Sequence, residues 1–180
     1  MTPIRFAQPA DLPAIVAIYN AAIPGRMATA DTEPVTVASR EAWFAEFDPA
    51  RRPLWVLTDM TTDAVLGWLS LRSFYGRPAY AATVEAGVYT DPAAQRRGVG
   101  KTLLQHALAA APALGIRTIL AFVFAHNEPS VALFADIVQN PAFPAEELER
   151  QRVRWLAAIE REKNEGTTQA SLESATTRSA

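Results

Sequence analysis

In this sequence, the clearest indication of a binding site is the segment QRRGVG at residues 95 to 100. It follows a strand-like stretch and leads into a helix-like stretch. Small residues at a helix start leave backbone N–H groups available to an anion, and the helix dipole favours negative charge at the same point. The side chains of Arg96, Arg97 and Lys101 add positive charge. The segment therefore predicts a binding site for a ligand that carries phosphate groups.

Two alternatives arise from the glycines of this segment. The nucleotide-binding motif GxxxxGK[ST] ends as residues 100 to 102 do, but it requires a glycine at position 95, where this chain has Gln95. That motif also follows its strand directly, whereas residues 90 to 94 intervene here. A nucleoside triphosphate loop is therefore disfavoured. The second alternative stays open on the glycines alone: Gly98 and Gly100 serve only the packing of the helix start.

Composition narrows the class of ligand and partner. The chain has 180 residues, 17 basic and 19 acidic side chains, a net charge of −2 and no cysteine. This length suits one domain, and the charge gives no basic field for nucleic acid or a membrane surface. A thiol nucleophile and Cys-ligated zinc are excluded, and the two histidines lack metal-ligand spacing. We expect a cytoplasmic protein with a small-molecule substrate, no metal, and no nucleic-acid or membrane partner.

Hydrophobic patterns predict the elements that position the segment. Strands are expected at residues 3–7, 54–58, 64–72, 82–89 and 116–125, with the second and third forming a hairpin. Helices are expected at residues 9–23 and 99–114, and a further helix capped by Ser39 carries Trp43, Phe44 and Phe47. Several strands followed by a strand–helix–strand unit indicate an α/β fold with a mixed sheet.

The pattern Q-x-x-G-x-G between a strand and a helix resembles the acetyl-coenzyme A site of the GNAT N-acetyltransferases. The resemblance covers residues 4–135. Within the family it is similar to the phosphinothricin acetyltransferase branch, through ADLPAIVAIYNAAI, GRPAYAATVEAGVY and HNEPSVALF. It implies a mostly antiparallel mixed sheet flanked by helices. It also implies acetyl transfer from acetyl-CoA to the amine of a small amino-acid-like substrate, such as phosphinothricin or methionine sulfoximine.

The resemblance implies roles for particular residues. In the family a free N–H on the strand before the turn faces the thioester, and Val88 and Tyr89 are equal candidates for that role. Asn127 and Ser130 match a signature that contacts the pantetheine, although they equally fit as caps of the following helix. The expected cofactor-binding residues are therefore Val88, Tyr89, Gln95, Arg96, Arg97, Gly98, Val99, Gly100, Lys101, Asn127 and Ser130.

On the acceptor side, Glu85 matches the branch's general base, the alternative being a charged strand residue that faces solvent. The loop after the third strand matches the branch's substrate loop, which implies that Arg72, Phe74, Arg77 and Tyr80 bind the acceptor. Arginine suits a carboxylate or phosphinate because its planar fork pairs two oxygens. The alternative for this loop is a solvated surface segment with packed aromatic rings.

Two features depart from the family pattern. Phe134 stands where the family has a tyrosine or histidine that protonates the leaving thiolate, and phenylalanine has no proton to donate. After Ala135, the usual final strands are replaced by AEELERQRVRWLAAIEREK, which predicts a helix. Residues 136–163 resemble an internal segment of insulinase-type metallopeptidases, without the HxxEH zinc motif of that family.

These departures set the expected organisation and an alternative function. We expect a GNAT core at residues 1–135, a helical segment of foreign character at 136–163 and a disordered tail at 164–180. An uncovered strand edge favours pairing with another copy, so a homodimer is one expectation. Of the two histidines, His106 is expected to be solvated and His126 to lie near the cofactor. The alternative function is a truncated relic that binds acetyl-CoA or a protein partner without turnover.

Overall fold

The structure, a computed structural model, describes residues 3–139 and, by their backbone, residues 154–158. The elements in chain order are β1 (Ile4–Phe6), α1 (Leu12–Ala22), α2 (Val37–Ala45), β2 (Leu54–Thr58), β3 (Val65–Ser73), β4 (Thr83–Thr90), α3 (Val99–Ala110), β5 (Thr118–Phe124), α4 (Glu128–Gln139) and β6 (Arg154–Ala158).

The strands form one mixed sheet in the order β1-β2-β3-β4-β5-β6. Neighbours from β1 to β4 are antiparallel, whereas β5 is parallel to β4 and β6 is parallel to β5. Helix α3 connects β4 to β5. The chain runs back along this helix before β5 begins, so β5 is parallel to β4. The expected α/β fold with a mixed, mostly antiparallel sheet flanked by helices is confirmed.

Strand residues alternate between two apolar layers because successive side chains point to opposite faces. On one face Leu69, Leu71 and Val84 pack with Leu104 of α3 and Ile137 of α4. On the other face, a smaller cluster joins α1 to the sheet, with α2 packed against it; its buried members are Ile15, Ile18, Leu54, Val56 and Trp68. The second face holds the cavity that contains Glu85, described below.

Element boundaries differ from expectation at α2. Thr36, not Ser39, caps this helix: Thr36 Oγ1 accepts from Ser39 N at 3.1 Å, and Ser39 Oγ accepts from Thr36 N at 3.2 Å. The two residues form a reciprocal capping box, in which Ser39 occupies the third helical position. Phe47 lies beyond the end of the helix at Ala45.

The prediction that His106 is solvated is wrong. The His106 ring meets Trp55 edge to face, with centroids 4.9 Å apart, and burial lowers the pKa of His106. The histidine therefore packs α3 against β2.

The predicted C-terminal helix is wrong at Arg154–Ala158, which form β6. These residues pair with Leu120–Phe124 at the edge of β5. Helix propensity is a weak preference that such tertiary pairing overrides. Upstream, residues 136–139 continue α4 across the expected border at residue 135. The rest of the predicted helix and the tail at 164–180 lie outside the described residues.

Candidate active site

A gap opens between β4 and β5 near the middle of the sheet. The two strands pair only at Thr83–Glu85 and Thr118–Leu120, and beyond these residues β5 is not paired with β4. The opposite edge of β5 pairs with β6 from Leu120 onward. The diverging segments are Ala86–Tyr89 of β4 and Ala121–Phe124 of β5, and both line the gap. Met27, Ala28, Asn127, Ser130 and Phe134 complete its lining. Parallel strands that separate in this way leave main-chain polar groups without their usual ladder partners.

The hydrogen-bond pattern of β4 decides which amide faces this gap. Phe74 N donates to Thr83 O at 3.3 Å, and Asp91 N donates to Leu66 O at 2.9 Å. Because antiparallel ladders bond every second residue, the register assigns the N–H of Tyr89 to β3 and directs the N–H of Val88 towards the gap. Of the two candidates that the sequence left open, Val88 is therefore the residue whose N–H faces the gap.

The segment at residues 95–100 forms a turn that leads into α3. Arg96 and Gly98 have φ values of 59° and 79°. The first helical hydrogen bond runs from Thr102 N to Gly98 O at 2.9 Å. The N–H groups of Val99, Gly100 and Lys101 precede it and therefore have no partner in the helix. The helix start thus presents a cluster of unpaired N–H groups, as an anion site requires.

The two glycines of the turn have different functions. A Cβ on Gly98 would meet nothing within 4 Å, so this glycine is required for its left-handed φ and not for packing. A Cβ on Gly100 would meet Leu133 Cδ2 at 3.2 Å and Thr90 Cγ2 at 3.7 Å. Gly100 therefore lets α3 approach α4 and the end of β4, which brings the N–H cluster to the same end of the sheet as the gap. The packing alternative holds for Gly100 and fails for Gly98.

The charged side chains of the turn are placed unequally. Gln95, Arg96 and Arg97 are exposed beside the N–H cluster. Lys101 instead turns to α4, where its Nζ lies 2.7 Å from Asp136 Oδ2. Arg96 and Arg97 are therefore exposed at the helix start, whereas Lys101 is paired with Asp136.

Asn127 has the helix-capping role, one of the two interpretations that the sequence left open. Its Oδ1 accepts from Ser130 N at 3.2 Å, which caps α4, and its Nδ2 donates to Met27 O at 2.7 Å. Asn127 is 8 % exposed, and it lines the gap together with Ser130. The neighbouring His126 Nε2 lies 3.1 Å from Arg26 O. The residues after β5 thus hold the α1–α2 loop against the gap.

A cavity of about 210 Å³ lies on the α1–α2 face of the sheet. It is lined by Ile15, Val16, Tyr19, Val35, Arg40, Trp43, Trp68, Ser70, Arg72, Glu85, Gly87 and Tyr89. Glu85 and Arg72 are cross-strand partners and share this face. Gly87 and Tyr89 line both the cavity and the gap, so the two spaces meet at these residues.

The arginines of the cavity are only partly neutralised. Arg72 Nη2 lies 3.4 Å from Glu46 Oε2, and both side chains are more than half exposed. Arg40 Nη2 lies 3.2 Å from Asp31 Oδ2, with its guanidinium 5.2 Å from the centroid of Tyr19. Such exposed pairs are weak, so an anionic group on a ligand can compete for the guanidinium groups.

The cavity's two tyrosines donate to the α1–α2 loop. Tyr89 Oη donates to Ala28 O at 3.1 Å, and its ring stacks on Trp68 at 4.6 Å. Tyr19 Oη donates to Asp31 Oδ2 at 2.7 Å. Burial raises the pKa of Tyr89 strongly and that of Tyr19 as well. Both hydroxyls therefore stay protonated near neutral pH.

The predicted substrate loop is only partly at the cavity. Arg72 lines it, whereas Phe74, Arg77 and Tyr80 do not. Phe74 packs on Tyr80 with ring centroids 5.7 Å apart, beside the exposed Tyr75. Sequence reasoning missed Arg40, Trp43 and Ser70; for Ser70 the signal was available, because WLSLR alternates and so places it on the face of Arg72.

Within residues 3–139 and 154–158, no group of three or more His, Asp or Glu side chains is placed to hold a metal ion. In the same part of the chain, no helix has the length and apolar character needed to cross a bilayer.

The structure thus has three features in one region: a gap between parallel strands, an N–H cluster at a helix start, and a cavity that contains a carboxylate. A comparison with protein families covers the same region. The model of the acetyltransferase (GNAT) family matches residues 15–137. The chain belongs to this family. This GNAT protein is accordingly an N-acetyltransferase, and the matched residues contain the gap, the turn and the cavity.

Individual relatives are similar over the same region of this GNAT protein. A Bacillus subtilis protein named "Putative phosphinothricin acetyltransferase YwnH" is 51% identical over 73% of this chain and 79% of the relative. An L-methionine sulfoximine/L-methionine sulfone acetyltransferase of Pseudomonas aeruginosa is 35% identical over 72% of this chain and 75% of the relative. The crystal structure of a phosphinothricin acetyltransferase from Sinorhizobium meliloti in complex with acetyl-CoA is 30% identical, with a TM-score of 0.70, and the match covers 76% of this chain and 73% of that one.

Proposed function

We propose that this GNAT protein transfers the acetyl group of acetyl-CoA to the amine of a small amino-acid-like substrate of the phosphinothricin or methionine sulfoximine type. The observation that carries the proposal is the meeting of two spaces at Gly87 and Tyr89. One space has main-chain donors suited to a thioester, and the other has a carboxylate suited to an amine. The names of the relatives support this class of substrate.

The described residues fit acetyl-CoA. Its phosphates match the unpaired N–H groups at residues 95–100, with the exposed Arg96 and Arg97 beside them. Its pantetheine arm matches the gap, which Asn127 and Ser130 line. Acetyl-CoA supplies the activated acetyl group, and the Val88 N–H faces the gap where a donor to the thioester carbonyl is needed.

Glu85 is the proposed general base. The acceptor reaches the protein as an ammonium ion, and it must lose a proton before its nitrogen can attack. Glu85 lines the cavity. It lies two residues before Gly87 on the same face of β4, and Gly87 lines both the cavity and the gap. A carboxylate in hydrogen-bond reach of the amine accepts that proton.

Arg72 and Arg40 are proposed to bind the acid group of the acceptor. Both guanidinium groups line the same cavity as Glu85. A planar guanidinium pairs two oxygens of a carboxylate or phosphinate at once. The sequence resemblance also predicts Phe74, Arg77 and Tyr80 as acceptor contacts, but these residues do not line the cavity, so we propose no role for them in binding the acid group.

Phe134 supports one alternative, a protein that binds acetyl-CoA without turnover. Phe134 is 6 % exposed and lines the gap, where it has no proton to give a leaving thiolate. We favour turnover, because a thiol with a pKa of about 8.5 leaves readily as the thiolate without an acid.

The remaining organisation is proposed from the sequence. The catalytic unit is residues 1–135, and residues 136–163 are a segment of foreign character similar to part of the insulinase-type metallopeptidases. The homodimer stays a prediction, although the β5 edge from which it was argued pairs with β6 in the structure.

The test has two stages on the full chain. Calorimetric titration with acetyl-CoA measures cofactor binding, and release of free thiol is then followed with phosphinothricin and methionine sulfoximine as acceptors. We expect saturable binding and thiol release that depends on the acceptor. Binding without thiol release supports the alternative, and absence of binding contradicts both.

A further inference from the structure

Ser70 is a buried polar residue in the acceptor cavity that none of the roles above uses. It is 4 % exposed and lines the cavity. Among the described residues, no protein group forms a hydrogen bond with its Oγ. A buried hydroxyl without a partner destabilises the folded protein, so native proteins seldom contain one that no water or ligand satisfies.

Three cross-strand pairs share this face of the sheet and define the surroundings of Ser70. Arg72 pairs with Glu85 at one end, Ser70 pairs with Gly87 in the middle, and an aromatic pair, Trp68 and Tyr89, closes the other end. Consecutive pairs on one face are about 7 Å apart along the strands. The small middle pair therefore forms a notch between a charged wall and an aromatic wall.

Gly87 keeps the notch open. A Cβ on Gly87 would lie 3.1 Å from Ser70 Oγ and 3.7 Å from Tyr89 Cε2. Gly87 also lines the gap between β4 and β5. A group bound at Ser70 Oγ thus lies beside Glu85 and next to Gly87, which also lines the gap.

The chemistry of the lining restricts what this group is. The guanidinium groups of Arg40 and Arg72 are hydrogen-bond donors without acceptor atoms, and Trp68 Nε1 already donates to Ile15 O at 3.1 Å. The tyrosine hydroxyls are engaged with the α1–α2 loop. Two side-chain acceptors of the lining, the Glu85 carboxylate and Ser70 Oγ, make no hydrogen bond with the described residues. A ligand nitrogen with several N–H bonds satisfies both.

We propose that Ser70 Oγ accepts a hydrogen bond from the amine of the acceptor and holds that nitrogen in the Gly87 notch, next to Glu85. This inference rests on the proposed function and names the point at which its substrate amine binds. Glu85 takes one proton from the ammonium group, and the nitrogen lone pair then forms a bond to the acetyl carbon. The carbon–sulfur bond breaks to release the coenzyme A thiolate, and a second proton of the nitrogen passes to this thiolate to give the free thiol. Ser70 neither gains nor loses a proton.

The test compares wild type with Ser70→Ala on two ligands, phosphinothricin and the same molecule without its amino group. We expect Ser70→Ala to weaken binding of the amine-bearing acid about tenfold, as is typical for a hydrogen bond to a charged group, and to leave the desamino acid within twofold. The KM for phosphinothricin rises by the same factor, while the Kd for acetyl-CoA stays unchanged. Ser73→Ala is the matched control, because Ser73 is an exposed serine of β3 outside the cavity.

Thermal unfolding separates this role from a structural one. Because Ser70 Oγ has no protein partner, we expect the Tm of Ser70→Ala to be equal to or above that of wild type. A lower Tm with equal loss of affinity for both ligands would overturn the proposal. Gly87→Ala fills the notch, and we expect it to abolish acetyl transfer while retaining acetyl-CoA binding.

The outcomes distinguish the inference from the function on which it rests. A wild-type protein that transfers no acetyl group to any amino acid tested refutes the proposed function, and the inference with it. A wild type that transfers acetyl groups, beside a Ser70→Ala variant with unchanged KM, refutes the inference alone.

Discussion

The two spaces of this protein are built from different parts of the chain. Around the gap and the turn at residues 95–100, the groups suited to a ligand are main-chain N–H groups, such as those of Val88 and Gly100, placed by strand register and a left-handed Gly98. Around the acceptor cavity, they are side chains: Glu85, Arg72 and Ser70. The first space depends on backbone conformation, and the second on residue identity.

This difference indicates how each space responds to mutation. Replacing an exposed side chain beside the gap leaves the N–H groups in place, whereas a change of backbone conformation disturbs them. Replacing a side chain in the cavity removes the reacting or binding group itself. The two spaces should therefore be separable by substitution, although they meet at Gly87 and Tyr89.

Glu85→Gln should have the largest effect. It removes the proposed base but keeps the shape of the side chain, so kcat/KM for the acceptor should fall by about 100-fold or more, the usual contribution of a general base. The Kd for acetyl-CoA, measured by calorimetry, should stay within twofold. Unchanged turnover would show that another group accepts the proton.

Arg72→Ala should raise the KM for phosphinothricin about 30-fold, because a charge-assisted hydrogen bond contributes about 2 kcal/mol. Arg77→Ala provides the comparison, since the sequence places both residues in the acceptor loop and the structure places only Arg72 at the cavity. We expect Arg77→Ala to change KM by less than threefold. Equal effects from the two variants would favour the sequence prediction over the structural one.

Gly98→Val should weaken acetyl-CoA binding about tenfold, because a left-handed φ costs a residue with a Cβ about 1–2 kcal/mol and the turn must change to relieve it. Gly115→Val is the matched control: Gly115 has a φ of 68° and no atom within 4 Å of its Cβ position, but it lies beyond α3. Both variants should lose similar stability on thermal unfolding, and only Gly98→Val should change the Kd. A shift of Kd in both would indicate a general effect of destabilisation.

Arg96→Ala and Arg97→Ala should have the smallest effects. Their side chains are exposed, so each should weaken acetyl-CoA binding about two- to threefold at low salt, and less at higher salt because ions screen exposed charges. Titrations at two salt concentrations measure this. A loss as large as that of Gly98→Val would mean that side chains, and not N–H groups, hold the phosphates.

The sequence predicts most of the elements because they are strongly periodic, and it predicts the phosphate turn because Gly98 and its neighbours form a local pattern. It leaves Val88 and Tyr89 undecided, since the direction of an amide depends on pairing with β3. It fails at Arg154–Ala158, where pairing with β5 outweighs local helical propensity. The notch at Ser70 requires the register that places Gly87 opposite it.

The central claim is that the gap and the cavity can be separated by substitution. Its most direct test is calorimetric titration of acetyl-CoA into a variant that carries Glu85→Gln, Arg72→Ala and Ser70→Ala together. We predict a Kd within twofold of wild type and no acetyl transfer to phosphinothricin, because the cofactor groups are main-chain and the acceptor groups are side chains. A Kd raised tenfold or more, or transfer that persists, would contradict the separation of the two spaces.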